Sequence, residues 1–99
     1  MASKQLQLMD HQARALRLLR PAGEAGVSVA TFAAAMWPDG REDRVVRTAW
    51  DYLQHLHQHH LALRWWWSVD MGACCYRITE YGLARLAEYE AAHPTGRAT

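Results

Sequence analysis

The stretch PDGREDRVVRTAWDYLQHLHQHHLAL, Pro38 to Leu63, decides how the chain is read. Its apolar residues Val46, Ala49, Trp50, Leu53, Leu56 and Leu61 recur at steps of three and four, the period of a helix that buries one stripe. Turning about 100° per residue from Val46 puts Arg41, Arg44, Thr48, Asp51, His55 and His59 on the opposite face. All of these hydrogen-bond well, and such a face suits a polar partner.

Upstream, Trp37 to Gly40 form a break, because proline cannot continue a helix and Asp-Gly is a strong turn pair. Before the break, Ser28 is a suitable N-cap for a short helix through Met36, with Val29, Phe32, Ala33 and Met36 as its apolar side. Residues 6–20 predict a first helix, placing Leu8, Met9, Ala13, Leu16 and Leu19 on one side and Arg14 and Arg17 toward the other. Pro21, Gly23 and Gly26 then interrupt the periodicity as a surface connection would, and Val27 offers one or two residues of extended chain.

Downstream, the pattern changes to ALRWWWSV, DMG and ACCYRIT, two strands around a turn centred on Asp70 to Gly72. Thr79 then caps a last helix, with Glu80 favoured in its first turn and Leu83, Leu86 and Ala87 as its apolar side. Gly82 weakens that helix on propensity alone. Residues 93–99 predict a frayed tail. The fold class is therefore mainly α with a small β-hairpin (α+β), in the order α-(β)-α-α-β-β-α. It forms one domain over residues 1–99, with a core over about 6–92.

Composition sets the bounds. Ninety-nine residues, 51% hydrophobic and 21% charged, suit a single soluble core. No apolar run approaches the ~20 residues of a membrane span, and no signal peptide is apparent. Cys74 and Cys75 are neighbours, which disfavours an ordinary disulfide between them, so a reducing cytoplasm is the expected compartment. The net charge of +1 falls short of the clearly basic balance typical of nucleic-acid binders. Arg41, Arg44, Arg47 and Arg64 sit among Asp39, Glu42, Asp43 and Asp51.

The element order is that of a winged helix-turn-helix domain, and particular words strengthen the likeness. GVSVATFAAAM resembles the strand and second helix of bacterial winged-helix regulators. YRITEYGLARL resembles the second wing strand running into the last helix of the MarR-like and PadR-like groups. MWPDGRED is similar to the corresponding link in small winged-helix proteins of actinobacteria and their phages. Together these words cover about residues 10 to 90.

The resemblance implies a bacterial or phage transcriptional regulator, a homodimer whose third helix enters the major groove of double-stranded DNA while the hairpin touches backbone or minor groove. Arg41, Arg44, Arg47 and Thr48 then fall where such domains contact bases and phosphates, along a face continued by Asp51 and His55. Arginine's planar fork matches the O6 and N7 acceptors of guanine, and threonine suits a phosphate or a thymine methyl. Ser28, Thr31 and Arg64 are the expected phosphate contacts that fix register.

Other features compete with this reading. A charged helix face is more often simply solvated, its arginines balanced by nearby carboxylates. On a regular strand Trp65 and Trp67 share one side and Trp66 takes the other. One or two of them would cover the third helix, and the remainder, with Leu83 and Leu86, would offer a partner surface. A homodimer contact is the first expectation there and base stacking the second. The alternative function follows: a winged helix serving as a protein-interaction module through the tryptophan strand and the last helix.

His55 and His59, one turn apart, invite a metal, with Cys74 or Cys75 approaching from the hairpin. Without HExxH, CxxC or a completing carboxylate, no metal or cofactor is expected. His57 and His60 are expected to close the helix end. No Gly-rich phosphate loop, serine elbow or separated carboxylate pair is present, so the chain does not read as an enzyme.

Overall fold

Four α-helices and a three-stranded antiparallel sheet build residues 8–92, the part described by the computed structural model. The helices are α1 (Asp10–Leu19), α2 (Val29–Met36), α3 (Glu42–Gln58) and α4 (Glu80–Ala92). The strands are β1 (Val27–Ser28), β2 (Ala62–Trp66) and β3 (Cys75–Ile78), in the spatial order β1-β3-β2. Short 3-10 turns occupy Arg20–Ala25 and Met71–Ala73. The expected tail, 93–99, and the first two residues of the expected first helix, 6 and 7, lie outside the described residues.

α2 follows its local signals closely. The Ser28 Oγ accepts the Thr31 N–H at 3.1 Å, the bond an N-cap exists to make, and Val29, Phe32, Ala33 and Met36 are all buried. α1 buries Ala13, Ala15, Leu16 and Leu19. Met9 is exposed rather than part of that stripe, because the helix begins one residue later and Met9 lies in extended backbone as its N-cap.

In α3 the buried residues are Ala49, Leu53 and Leu56, while Val46 and Trp50 are half-buried at its margins. The buried direction is thus rotated roughly 60° from Val46. That rotation brings Arg47 to the middle of the exposed face. Leu53 and Leu56 together remove on the order of 3 to 6 kcal/mol of apolar transfer free energy from water.

α3 ends in a Schellman turn. The Leu61 N–H bonds the Leu56 carbonyl at 2.9 Å and the His60 N–H bonds the His57 carbonyl at 3.0 Å, with His60 left-handed at φ 64°. The His60 carbonyl then accepts the Thr79 hydroxyl at 2.6 Å, and Thr79 Oγ1 accepts the Gly82 N–H at 2.8 Å. One threonine therefore caps α4 and ties its start to the end of α3.

The hairpin departs from regular alternation. A bulge between Arg64 and Trp66, opposite Tyr76 and Cys75, leaves Trp65 as an extra residue, and β2 stops at Trp66 rather than continuing to Val69. All three tryptophans are exposed, and none is buried as the expected cover of α3 would be. Cys74 is buried and its thiol donates to the Ser68 carbonyl at 3.3 Å, holding the turn closed.

α4 buries Gly82 and Leu86 and leaves Leu83 and Ala87 exposed. Leu86, expected on the partner surface, is instead core. At the far end of α4, Glu90 accepts Arg17 at 2.9 Å and Arg20 at 3.1 Å, which holds its carboxyl below the usual range and fastens α4 to α1. Tyr89 adds a hydrogen bond to Asp10.

Candidate nucleic-acid interface

The first half of α3 projects its polar side between two neighbours, the start of α2 and the hairpin turn. An open furrow runs there, lined by Ala30, Arg41, Asp43, Val46, Asp70, Met71 and Gly72. Arg41 is the N-cap residue, and its side chain makes only a loose 3.9 Å pair with Asp43, both about three-quarters exposed. Such a pair restrains the guanidinium little. Arg44, Arg47 and Thr48 follow on the exposed face, and the Thr48 hydroxyl donates to the Arg44 carbonyl at 3.1 Å.

The fates of the arginines are the most informative feature. Arg14 donates to the Met36 carbonyl, Arg17 and Arg20 hold Glu90, and Arg85 pairs with Glu88. By contrast, Arg44 and Arg47 are exposed, and their side chains have neither a hydrogen bond nor an ion pair among the described residues. Arg77 on β3 shares that condition, but it is half-buried and lines a groove shared with Leu63 and Leu83.

Arg64 is used internally, unlike the phosphate contact expected of it. Its guanidinium lies over the Trp50 ring at 5.5 Å and donates to Gln54 Oε1 at 3.1 Å. The same oxygen accepts the Tyr76 hydroxyl at 2.5 Å. This Arg64–Gln54–Tyr76 set locks the hairpin onto α3; burial pushes the Tyr76 phenol up, and Arg64 pulls it partly back. Sequence reasoning missed Gln54 because a glutamine on a helix carries no motif.

Ser28 is similarly committed. Besides capping α2, its hydroxyl donates to Thr31 Oγ1 at 3.0 Å. The exposed Thr31 hydroxyl keeps its own proton for an outside acceptor.

Asp51 and His55, one and two turns along α3 from Arg47, line a shallow cleft between α3 and α1 that His11, Gln12, Tyr52 and Leu56 complete. His55 meets His59 edge-on at a centroid distance of 4.5 Å. Burial first, then the charges of His59 and His11, lower its pKa from the ordinary 6.5. Among the described residues no group of three or more His, Cys, Asp or Glu side chains is placed to hold a metal ion. Nor, among them, is any helix long and apolar enough to cross a membrane.

Comparison with known protein families, with curated proteins and with solved structures gave no match to this chain.

Proposed function

We propose that the protein is a sequence-specific double-stranded DNA-binding protein of winged-helix type, a small transcriptional regulator that works as a homodimer with α3 in the major groove. The observation that carries this reading is the pair Arg44 and Arg47, exposed on α3 and without internal partners while the arginines of α1, β2 and α4 are engaged. Two unpaired guanidinium forks on one helix face suit bidentate contact with guanine edges. The element order and the sheet order β1-β3-β2 support the same reading, since they leave α3 projecting beside a hairpin.

In this mechanism Arg44 and Arg47 read bases, while Arg41 and the Thr31 hydroxyl take phosphates at the mouth of the furrow. Asp43 and Asp70, in the same furrow, repel phosphate wherever the fit is wrong, which favours specificity over general affinity. Asp51 and His55 border the contact rather than form its centre. Selection of bound fragments from a genomic library tests the proposal. A recurrent, two-fold related motif is expected; recovery of unenriched sequence, with random duplex bound only above ~100 μM at low salt, would defeat it.

A further inference from the structure

We infer that a second copy of this chain docks on the tryptophan strip of the hairpin, giving the proposed homodimer its contact surface. The inference rests on the preceding reading for the number of copies, not for the surface. Trp65, Trp66 and Trp67 are 45%, 53% and 60% exposed, and Val69 beyond them is 90% exposed. The run Trp65 to Val69 contains no charged residue, so nothing in it repels a copy of itself. At ~250 Å² per tryptophan, the three rings alone offer about 400 Å², half of the ~800 Å² each partner of a stable complex buries.

The strip is continuous with a second surface that supplies the rest. The Trp66 ring lies 6.3 Å from that of Trp65, whose indole N–H donates to the Ala25 carbonyl at 3.1 Å, next to Glu24. From there a groove lined by Glu24, Leu63, Arg77, Glu80 and Leu83 runs between the sheet and α4. Its Arg77, Glu24 and Glu80 have no ion-pair partner among the described residues. A surface holding an unmatched cation beside unmatched carboxylates, around apolar leucines, is self-complementary under a two-fold axis, where Arg77 of one copy meets an acid of the other.

The contact is made by side chains rather than by strand addition. Along the outer edge of β2 the Arg64 N–H is already taken by His57 Nδ1 at 3.4 Å. Stacking on single-stranded nucleic acid is the competing use of exposed tryptophans, but Arg64 is turned onto Trp50 and Gln54, and Arg77 lies in the groove among the carboxylates Glu24 and Glu80.

Sedimentation velocity of the full chain without DNA, from about 1 to 200 μM, tests the inference. The expected result is a species of twice the 11.3 kDa chain mass that dissociates on dilution. Trp66→Glu with Trp67→Glu should be monomeric throughout, with the thermal midpoint that the wild type shows when diluted to its monomer. Arg77→Glu should shift the dimer dissociation at least tenfold to higher concentration. A monomeric wild type overturns the inference, as does a monomer whose Trp66 is needed to bind single-stranded DNA. So does a dimer that survives the tryptophan exchange. If that variant unfolds, Arg77→Glu decides alone, and an unshifted dimer overturns the inference. Because no DNA is present, failure here leaves the α3 reading standing, and failure of DNA binding leaves this result standing.

Discussion

Gly82 and His60 carry opposite lessons about backbone chemistry. On helix propensity alone, Gly82→Ala should stabilise α4 by about 1 kcal/mol. At this position, however, an added methyl runs into the Leu61 carbonyl group and comes 3.0 Å from Ile78 Cγ1. Backbone cannot swing aside as a side chain can, so Gly82→Ala should lower unfolding free energy by about 1 to 3 kcal/mol, measured by urea denaturation. His60 is the reverse case. It holds a left-handed conformation that disfavours side chains, its ring is exposed, and its hydrogen bonds are all backbone. His60→Gly should raise stability by roughly 0.5 to 1 kcal/mol, the relief of the αL penalty less the entropy glycine adds to the unfolded chain. Gly82 could not be judged from the sequence, since its tolerance depends on the distant Leu61 backbone, whereas His60 depends on where α3 stops.

At the scale of elements, legibility followed the range of the forces involved. α2 could be read to its buried residues because its cap, its periodicity and its proline stop all act within a dozen positions. α3 was legible as a helix, but its orientation was not. Val46 and Trp50 are as apolar as Leu53, and only lateral neighbours, Met71 and Gly72 beside Val46 and Arg64 over Trp50, decide that they sit at the margins. The tryptophan strand failed for a similar reason, since one bulge at Trp65 cancels the alternation on which the expectation of a covered face relied. The cleft between α3 and α1 yields a pH prediction. The pKa of His55 is lowered in the folded protein, so the unfolded chain binds its proton more readily, and its contribution is present above pH 6.5 and lost as pH falls below that value. The denaturation midpoint should therefore drop between about pH 7 and 5.5, and His55→Gln should flatten part of that drop. An unchanged pH profile in the variant would remove His55 from the account.

For the whole molecule, the sum of charges and their disposition point in different directions. A net charge of +1 argues against nucleic acid if charges are merely counted. Among the described residues Arg14, Arg17, Arg20 and Arg64 hold helices and hairpin together, Arg85 pairs with Glu88 within α4, and Arg41 is only loosely paired with Asp43. Among the described residues, the arginine side chains that are exposed and without a partner are Arg44 and Arg47 on α3. The candidate site was thus legible in part: Arg44 stands where the helical pattern puts it, Arg47, which only the resemblance singled out, is brought to the same face by the rotation of α3, and Ser28, Arg64 and Leu86 are absorbed by the fold through contacts invisible in sequence. The most direct test of the central claim is a fluorescence anisotropy titration of a selected duplex across a salt series, comparing the wild type with Arg44→Ala plus Arg47→Ala. The expected affinity falls linearly in log-log form with salt, with a loss of ~1 to 3 kcal/mol for each of the two arginines removed. Equal affinity and equal salt slope for the two proteins would contradict it.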